Sequence, residues 1–204
     1  MLDLDRFGAI SGSWDRRLLN RILTRRSDEI ASHDAYLISL EDPATYTSLK
    51  AAIERIFEGR VDDTLTPRFQ FEHAASLIAE ELGEPLETDL WTDAKEDFWT
   101  EVDAVVAAFR RAHAIATSVL WTPGELIERG PYLEVPIDAE MRVGSGYLTT
   151  DEVGRASAAV RHFVFTADVG QGLDWPDEAV DAAEEYSAWI TEAARRGLGL
   201  FVHC

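Results

Sequence analysis

Helix punctuation recurs along this chain at short intervals. Asp42-Pro43 precedes a segment closed by Gly59, Thr66-Pro67 one closed by Gly83, Thr122-Pro123 one closed by Gly130, and Pro176 one closed by Gly197. Thr149 with Glu152 has the spacing of a capping box. Each start supplies a side-chain oxygen for orphan backbone N–H groups or a proline preset for the first turn, and each glycine tolerates the left-handed C-cap. Between these marks apolar residues repeat at helical spacing: Phe69, His73, Leu77, Ile78 and Leu82, then Phe98, Val102, Val105, Val106 and Phe109. Helices are predicted over 43–58, 67–82, 93–111, 123–129, 149–161 and 176–196.

Upstream, Trp14, Leu18 and Ile22, with Leu19 and Leu23, form an apolar stripe that predicts a first helix from Trp14 to Arg25, with Ser13 as its cap. Its other face carries Arg16, Arg17, Arg21, Arg25 and Arg26, which are expected to pair with acidic neighbours in the same fold. Residues 35–40 (AYLISL) read equally as a strand or the end of a helix. The stretch 131–137 (PYLEVPI) holds two prolines, which confine it to an edge or an extended loop, and 144–147 (GSGY) reads as a turn. Leu198 to Val202 is short and apolar, as a buried strand would be. With 46% hydrophobic residues in 204, there is enough apolar side chain for one sizeable core. The expected architecture is α+β: a single globular domain over 1–204, with five to six helices packed on a small mixed sheet that includes the C-terminal strand.

Three stretches in order carry a resemblance: RGPYLEVPI, then GYLTTDEV, then AWITEAARRGLGLFVHC. From about Leu126 onward the chain resembles a family of actinobacterial proteins known only as a domain of unknown function. The opening LDLDRFGAISGSWDRRLLNRI is similar to that family's start, where an Asp-Leu-Asp helix opening precedes a Gly-Ser dipeptide and a second helix. A more distant similarity is to the YfbM-like family, whose final helix and strand read alike. The resemblance implies an α+β fold and transfers no catalytic residue.

Charge bounds the partners. The chain has 38 acidic and 19 basic side chains, a net charge of -19. Such a field repels phosphate backbones and anionic lipid, so neither nucleic acid nor a membrane surface is an expected partner; a basic protein is. The opening six residues lack the basic-then-apolar pattern of a secretion signal, no apolar run approaches bilayer length, and the lone cysteine, Cys204, cannot form an intramolecular disulfide. A cytoplasmic location is expected.

No motif assigns chemistry. The five histidines (33, 73, 113, 162, 203) lack the i, i+4 pairing of a helical zinc site, so no metal and no cofactor is assigned. His73 falls on the apolar stripe of its helix and reads as a core or boundary imidazole. Ser145 lacks a nucleophile-elbow frame, and Gly170-Gln171-Gly172 lacks the third glycine of a dinucleotide loop. The run Asp174, Asp177, Glu178, Asp181, Glu184, Glu185 reads as a solvated face at a helix N-terminus. Trp91 and Trp99, set among Asp93, Glu96 and Asp97, are the candidate binding residues, because acid-rimmed aromatics suit a basic partner. The leading functional reading is an acidic binding or regulatory protein, immunity- or antitoxin-like. The alternative is a small-molecule-binding domain or enzyme with a site built from the 131–147 and 168–175 loops. A self-associating homodimer is the third.

Overall fold

The computed structural model describes residues 1–38, 47–61, 69–84, 86, 96–130, 132–133, 135, 144–161 and 175–203. They fall into two compact units. One comprises Leu2–Glu84, Gly130–Ser145 and His203–Cys204; the other comprises Met1, Pro85–Arg129 and Gly146–Val202.

The first, N-terminal unit holds five helices: α1 (Leu4–Gly8), α2 (Arg16–Arg25), α3 (Ser27–Ile38), α4 (Leu49–Glu58) and α5 (Phe69–Leu82). Helices α2, α3 and α5 each pack on α4, and α1 and α2 also touch α5. Leu18, Ile22, Ile53, Ile56, Phe57, Phe71 and Ile78 are buried there. Gly59 ends α4 at φ 67, as its position after the last apolar residue predicts. Helix α4 starts at Leu49 rather than Pro43: Ser48 accepts the Ala51 N–H at 3.1 Å, while Asp34 of α3 accepts the Leu49 N–H at 2.8 Å. Two orphan donors are thus satisfied six residues later than the proline suggests. Asp42 and Pro43, like the Thr66-Pro67 start of α5, lie outside the described residues.

Helix α2 also starts differently. Asp15, not Ser13, is its cap, accepting from both Arg17 N and Leu18 N at 3.0 Å. A carboxylate there also meets the positive end of the helix dipole, which a hydroxyl does not match. Trp14 drops out of the apolar stripe: it sits at φ 55, 58% exposed. A left-handed backbone costs a bulky residue roughly 1–2 kcal/mol. Residues 35–38 of the AYLISL run end helix α3, with Tyr36 and Ile38 exposed.

The C-terminal unit holds α6 (Glu96–Ala112), α7 (Pro123–Glu128), α8 (Thr150–Val160) and α9 (Asp177–Arg196). Ala179, Ala182, Ala183, Tyr186, Ile190 and Ala193 form the buried face of α9, against Val153, Ala156 and Val160 of α8 and Val102, Val105 and Phe109 of α6. The small side chains let the 20-residue α9, about 30 Å long, lie close to α8 along its length. The predicted capping box of Thr149 with Glu152 forms, a second one not read from the sequence joins Thr122 to Glu125, and Gly197 closes α9 at φ 65.

The expected architecture of five to six helices on a mixed sheet is corrected. The described residues form nine helices, and their sheet is two short antiparallel strands, β1 (Ser145–Leu148) and β2 (Leu200–His203). The helical punctuation makes many short self-satisfied segments and leaves little chain for strands. The segment 144–147, expected as a turn, carries β1. Its Gly146 is there for close approach: a Cβ would lie 1.7 Å from Leu126 O.

Candidate functional site

The sequence-chosen binding residues are only partly within view. Glu96 and Asp97 begin α6, and Trp99 follows in the same turn, half-buried and edge-on to Phe98 with ring centroids 6.3 Å apart. Trp91 and Asp93 lie outside the described residues, as do 136–143 and 168–174 of the alternative loops. Gly170, Gly172 and His162 fall outside as well. Ser145 is a buried strand residue, not a turn residue.

A second acidic surface in the C-terminal unit is fully in view. Asp177, Glu178, Asp181 and Glu184 run along the exposed side of α9, opposite its alanine face, and make no ion pair among the described residues. Acids are favoured at this end of a helix, but no described cation neutralises them. The cations of α9, Arg195 and Arg196, sit at its far end, and Arg195 is bound to Glu192 at 2.5 Å.

Several arginines elsewhere are committed to internal pairs. Arg110 grips Glu125 with both terminal nitrogens at 2.6 and 3.1 Å and donates to Leu120 O. Burial would raise the Glu125 carboxyl, yet Arg110 and the Thr122 N–H and hydroxyl together hold it below the ordinary range. Arg129 meets both Glu152 oxygens at 3.0 Å and lies 4.0 Å from the Tyr147 ring centroid and 5.5 Å from that of Trp121. Glu152 is lowered in the same way, burial opposed by Arg129 and Thr149. In the N-terminal unit Arg21 and Arg25 both hold Glu81, at 2.8 and 3.0 Å, and Arg26 holds Glu80 at 2.9 Å and Glu29 at 3.0 Å. The expected pairing of the α2 arginines with acids of the same fold holds for these three.

Two polar groupings escaped the sequence reading. Asp103 on α6 accepts the Gly124 N–H at 2.9 Å, its carboxyl raised by burial, and buried Tyr186 donates to Trp121 O at 3.0 Å. These bonds fasten α7 and the residue before its cap to α6 and α9. The other grouping lies on α5, where Glu72, Ser76, His73 and Gln70 cover about 160° of the helix circumference at roughly 100° per residue. Gln70 is 0% exposed with neither amide atom hydrogen-bonded among the described residues; Ser76 Oγ and His33 Nδ1 are also buried without a partner among them. His33 of α3 meets His73 edge to face at 4.3 Å, and burial lowers its pKa against the opposing pull of Asp34 and Glu29. A polar residue inside an apolar period was the one available signal, and it cannot say whether the helix is covered on every side. Among the described residues no three His, Cys, Asp or Glu side chains gather closely enough to hold a metal ion. No described helix is long and apolar enough to cross a membrane.

A family model described as Domain of unknown function (DUF7691) matches residues 1–204. No curated protein and no solved structure matches the chain.

Proposed function

From the premise that the chain belongs to the DUF7691 family, whose description names no activity, we propose that it is an acidic binding or regulatory protein, immunity- or antitoxin-like, that recognises a basic protein. The observation that carries this reading is the stripe Asp177, Glu178, Asp181 and Glu184: four exposed carboxylates without a described counter-charge, in a protein whose net charge is -19. Exposed pairs contribute little each, about 0–1 kcal/mol, so the stripe acts mainly on the association rate by steering a cationic partner. Trp91 and Trp99, set in the sequence among Asp93, Glu96 and Asp97, belong to the same proposal as aromatic anchors. The cytoplasm is the proposed location. The finer likenesses, to actinobacterial proteins and to the YfbM-like family, are part of this proposal and rest on the residue stretches quoted for them.

The test compares immobilised wild type with D177N/E178Q/D181N/E184Q for retention of basic proteins from the source cytoplasm at low ionic strength. Retention by wild type should fall on the order of 10-fold in the neutralised variant and on raising salt. Equal retention by both, or none by wild type, would overturn the reading.

A second reading, a small-molecule site, is favoured by the α5 arc. A buried donor or acceptor left unpaired costs about 1–3 kcal/mol, and a small uncharged ligand bearing both donors and acceptors would recover that at Gln70 and Ser76. Such a ligand would raise the melting temperature of wild type and leave Gln70→Leu unmoved. A ligand library giving the same shifts in both proteins would end it.

A further inference from the structure

The segment joining α1 to α2 is pinned. Gly12 N donates to Ile56 O at 3.0 Å and Trp14 N to Phe57 O at 2.9 Å, both at the end of α4. Gly12 and Gly59 pack backbone to backbone, so that a Cβ on Gly59 would stand 3.1 Å from Gly12 Cα. These anchors hold Trp14 at φ 55 with its indole largely in solvent. Strain of this kind persists only where the surroundings over-determine it, and it concentrates at ligand clamps and interfaces. Two further departures from local preference follow at once. Arg16 and Arg17 place cations in the first turn of α2, where the helix dipole favours anions, and both are exposed without an ion pair among the described residues. Further along, Arg21, Arg25 and Arg26 are all paired. A strained backbone, an exposed indole and two unmatched guanidinium groups within four residues have no compensating contact in the described fold, and such local rule-breaking marks functional surfaces.

We infer that Trp14, Arg16 and Arg17 dock on a second copy of this chain, against the Asp177, Glu178, Asp181, Glu184 stripe of its α9. The inference rests on reading that stripe as a face for cations, and it names the cation-bearing partner. Charge complementarity selects the occupant: the patch offers guanidinium groups and the stripe offers carboxylates over about two helical turns, roughly 10 Å. Trp and Arg are the side chains that dominate interface hot spots. A single patch-to-stripe contact uses the patch of one copy and the stripe of the other, so the pair keeps one free patch and one free stripe.

The net charge of -19 sets an unusual salt profile. At low salt the screening length is about 30 Å and whole-molecule repulsion opposes association. Near 0.15 M it is about 8 Å, which screens that repulsion while side chains in contact still attract. At about 1 M the contact itself is weakened. Association should therefore pass through a maximum at intermediate ionic strength.

The experiment is sedimentation velocity of the full chain across that salt range, with Trp14→Ala, R16Q/R17Q and D177N/E178Q/D181N/E184Q. Circular dichroism and melting serve as controls for folding. Wild type should self-associate with a maximum at intermediate salt, and each variant alone should weaken it on the order of 10-fold. Mixing R16Q/R17Q, which keeps the stripe, with the quadruple variant, which keeps the patch, should restore a one-to-one dimer that cannot grow. A wild type monomeric at every ionic strength, a Trp14→Ala protein that assembles like wild type, or a mixture that stays monomeric would overturn the inference. A monomeric chain that still retains foreign basic proteins through α9 refutes self-docking and leaves the proposed function standing; loss of both refutes both.

Discussion

Replacing Gly146 by alanine tests how the short sheet is seated in the C-terminal unit. The added Cβ would lie 1.7 Å from Leu126 O, 2.2 Å from Leu126 C and 3.0 Å from Ile127 N. All three obstacles are main chain of α7, which cannot swing away as a side-chain end can. To reach ordinary contact, β1 must retreat from α7 by well over 1 Å. That motion strains or breaks the 3.0 Å bond from Arg129 to Tyr147 O and loosens fully buried Leu148. Overpacking costs about 1–3 kcal/mol and the lost bond about 1 kcal/mol, so a destabilisation of about 3 kcal/mol or more is expected. Gly154→Ala is the matched control in the same unit. Gly154 lies inside α8 with nothing within 4 Å of its added Cβ, so alanine there should stabilise by about 0.4–1 kcal/mol. Urea denaturation of the three proteins reads both effects, with opposite shifts of the midpoint. A Gly146→Ala protein within about 0.5 kcal/mol of wild type, the scale of an ordinary surface substitution, would refute the packing of β1 on α7.

Other consequences follow from the polar groups. His33 is lowered from 6.5 in the folded protein, first by burial. The unfolded chain therefore binds the extra proton more readily, and stability should hold above about pH 6.5 and decline below it. In His33→Gln a pH series of melting temperatures should show a shallower decline; an unchanged slope would assign it elsewhere. Tyr186→Phe removes the bond to Trp121 O inside a fully buried site and should cost about 1–2 kcal/mol in urea denaturation, against no change if water supplies that carbonyl. Arg129→Ala leaves the largely buried Glu152 without its cation and strips a guanidinium from beside two rings. A loss of about 3 kcal/mol or more is expected, partly recovered when Glu152→Gln is added, as a double-mutant cycle would show.

Helix boundaries that depend on a few neighbouring residues were readable from the chain alone. Thr122 as a helix start, Thr149 with Glu152, Gly59 and Gly197 each act within one turn of their own backbone, and each does in three dimensions what its place in the sequence implies. Where two local signals competed, reading was insufficient. Ser13 and Asp15 both suit a cap, and the hydrogen bonds of residues 12 and 14 to the end of α4 leave that role to Asp15. Ser48 and Asp34 likewise share the start of α4 across a gap of 14 residues.

Features made by distant segments had no local signature. The acidic run on α9 announced a solvated face, but that Arg110 and Arg129 of the same unit go to Glu125 and Glu152 instead is decided by packing. Gly146 looked like turn chemistry because nothing nearby in sequence reveals that Leu126 O will press against it. Gln70 and Ser76 carry no local sign of the burial that packing against other helices gives them. Local sequence specifies which backbone groups can satisfy one another within a turn. Burial, ion pairing and strand pairing depend on which surfaces meet, and that is a property of the packed chain.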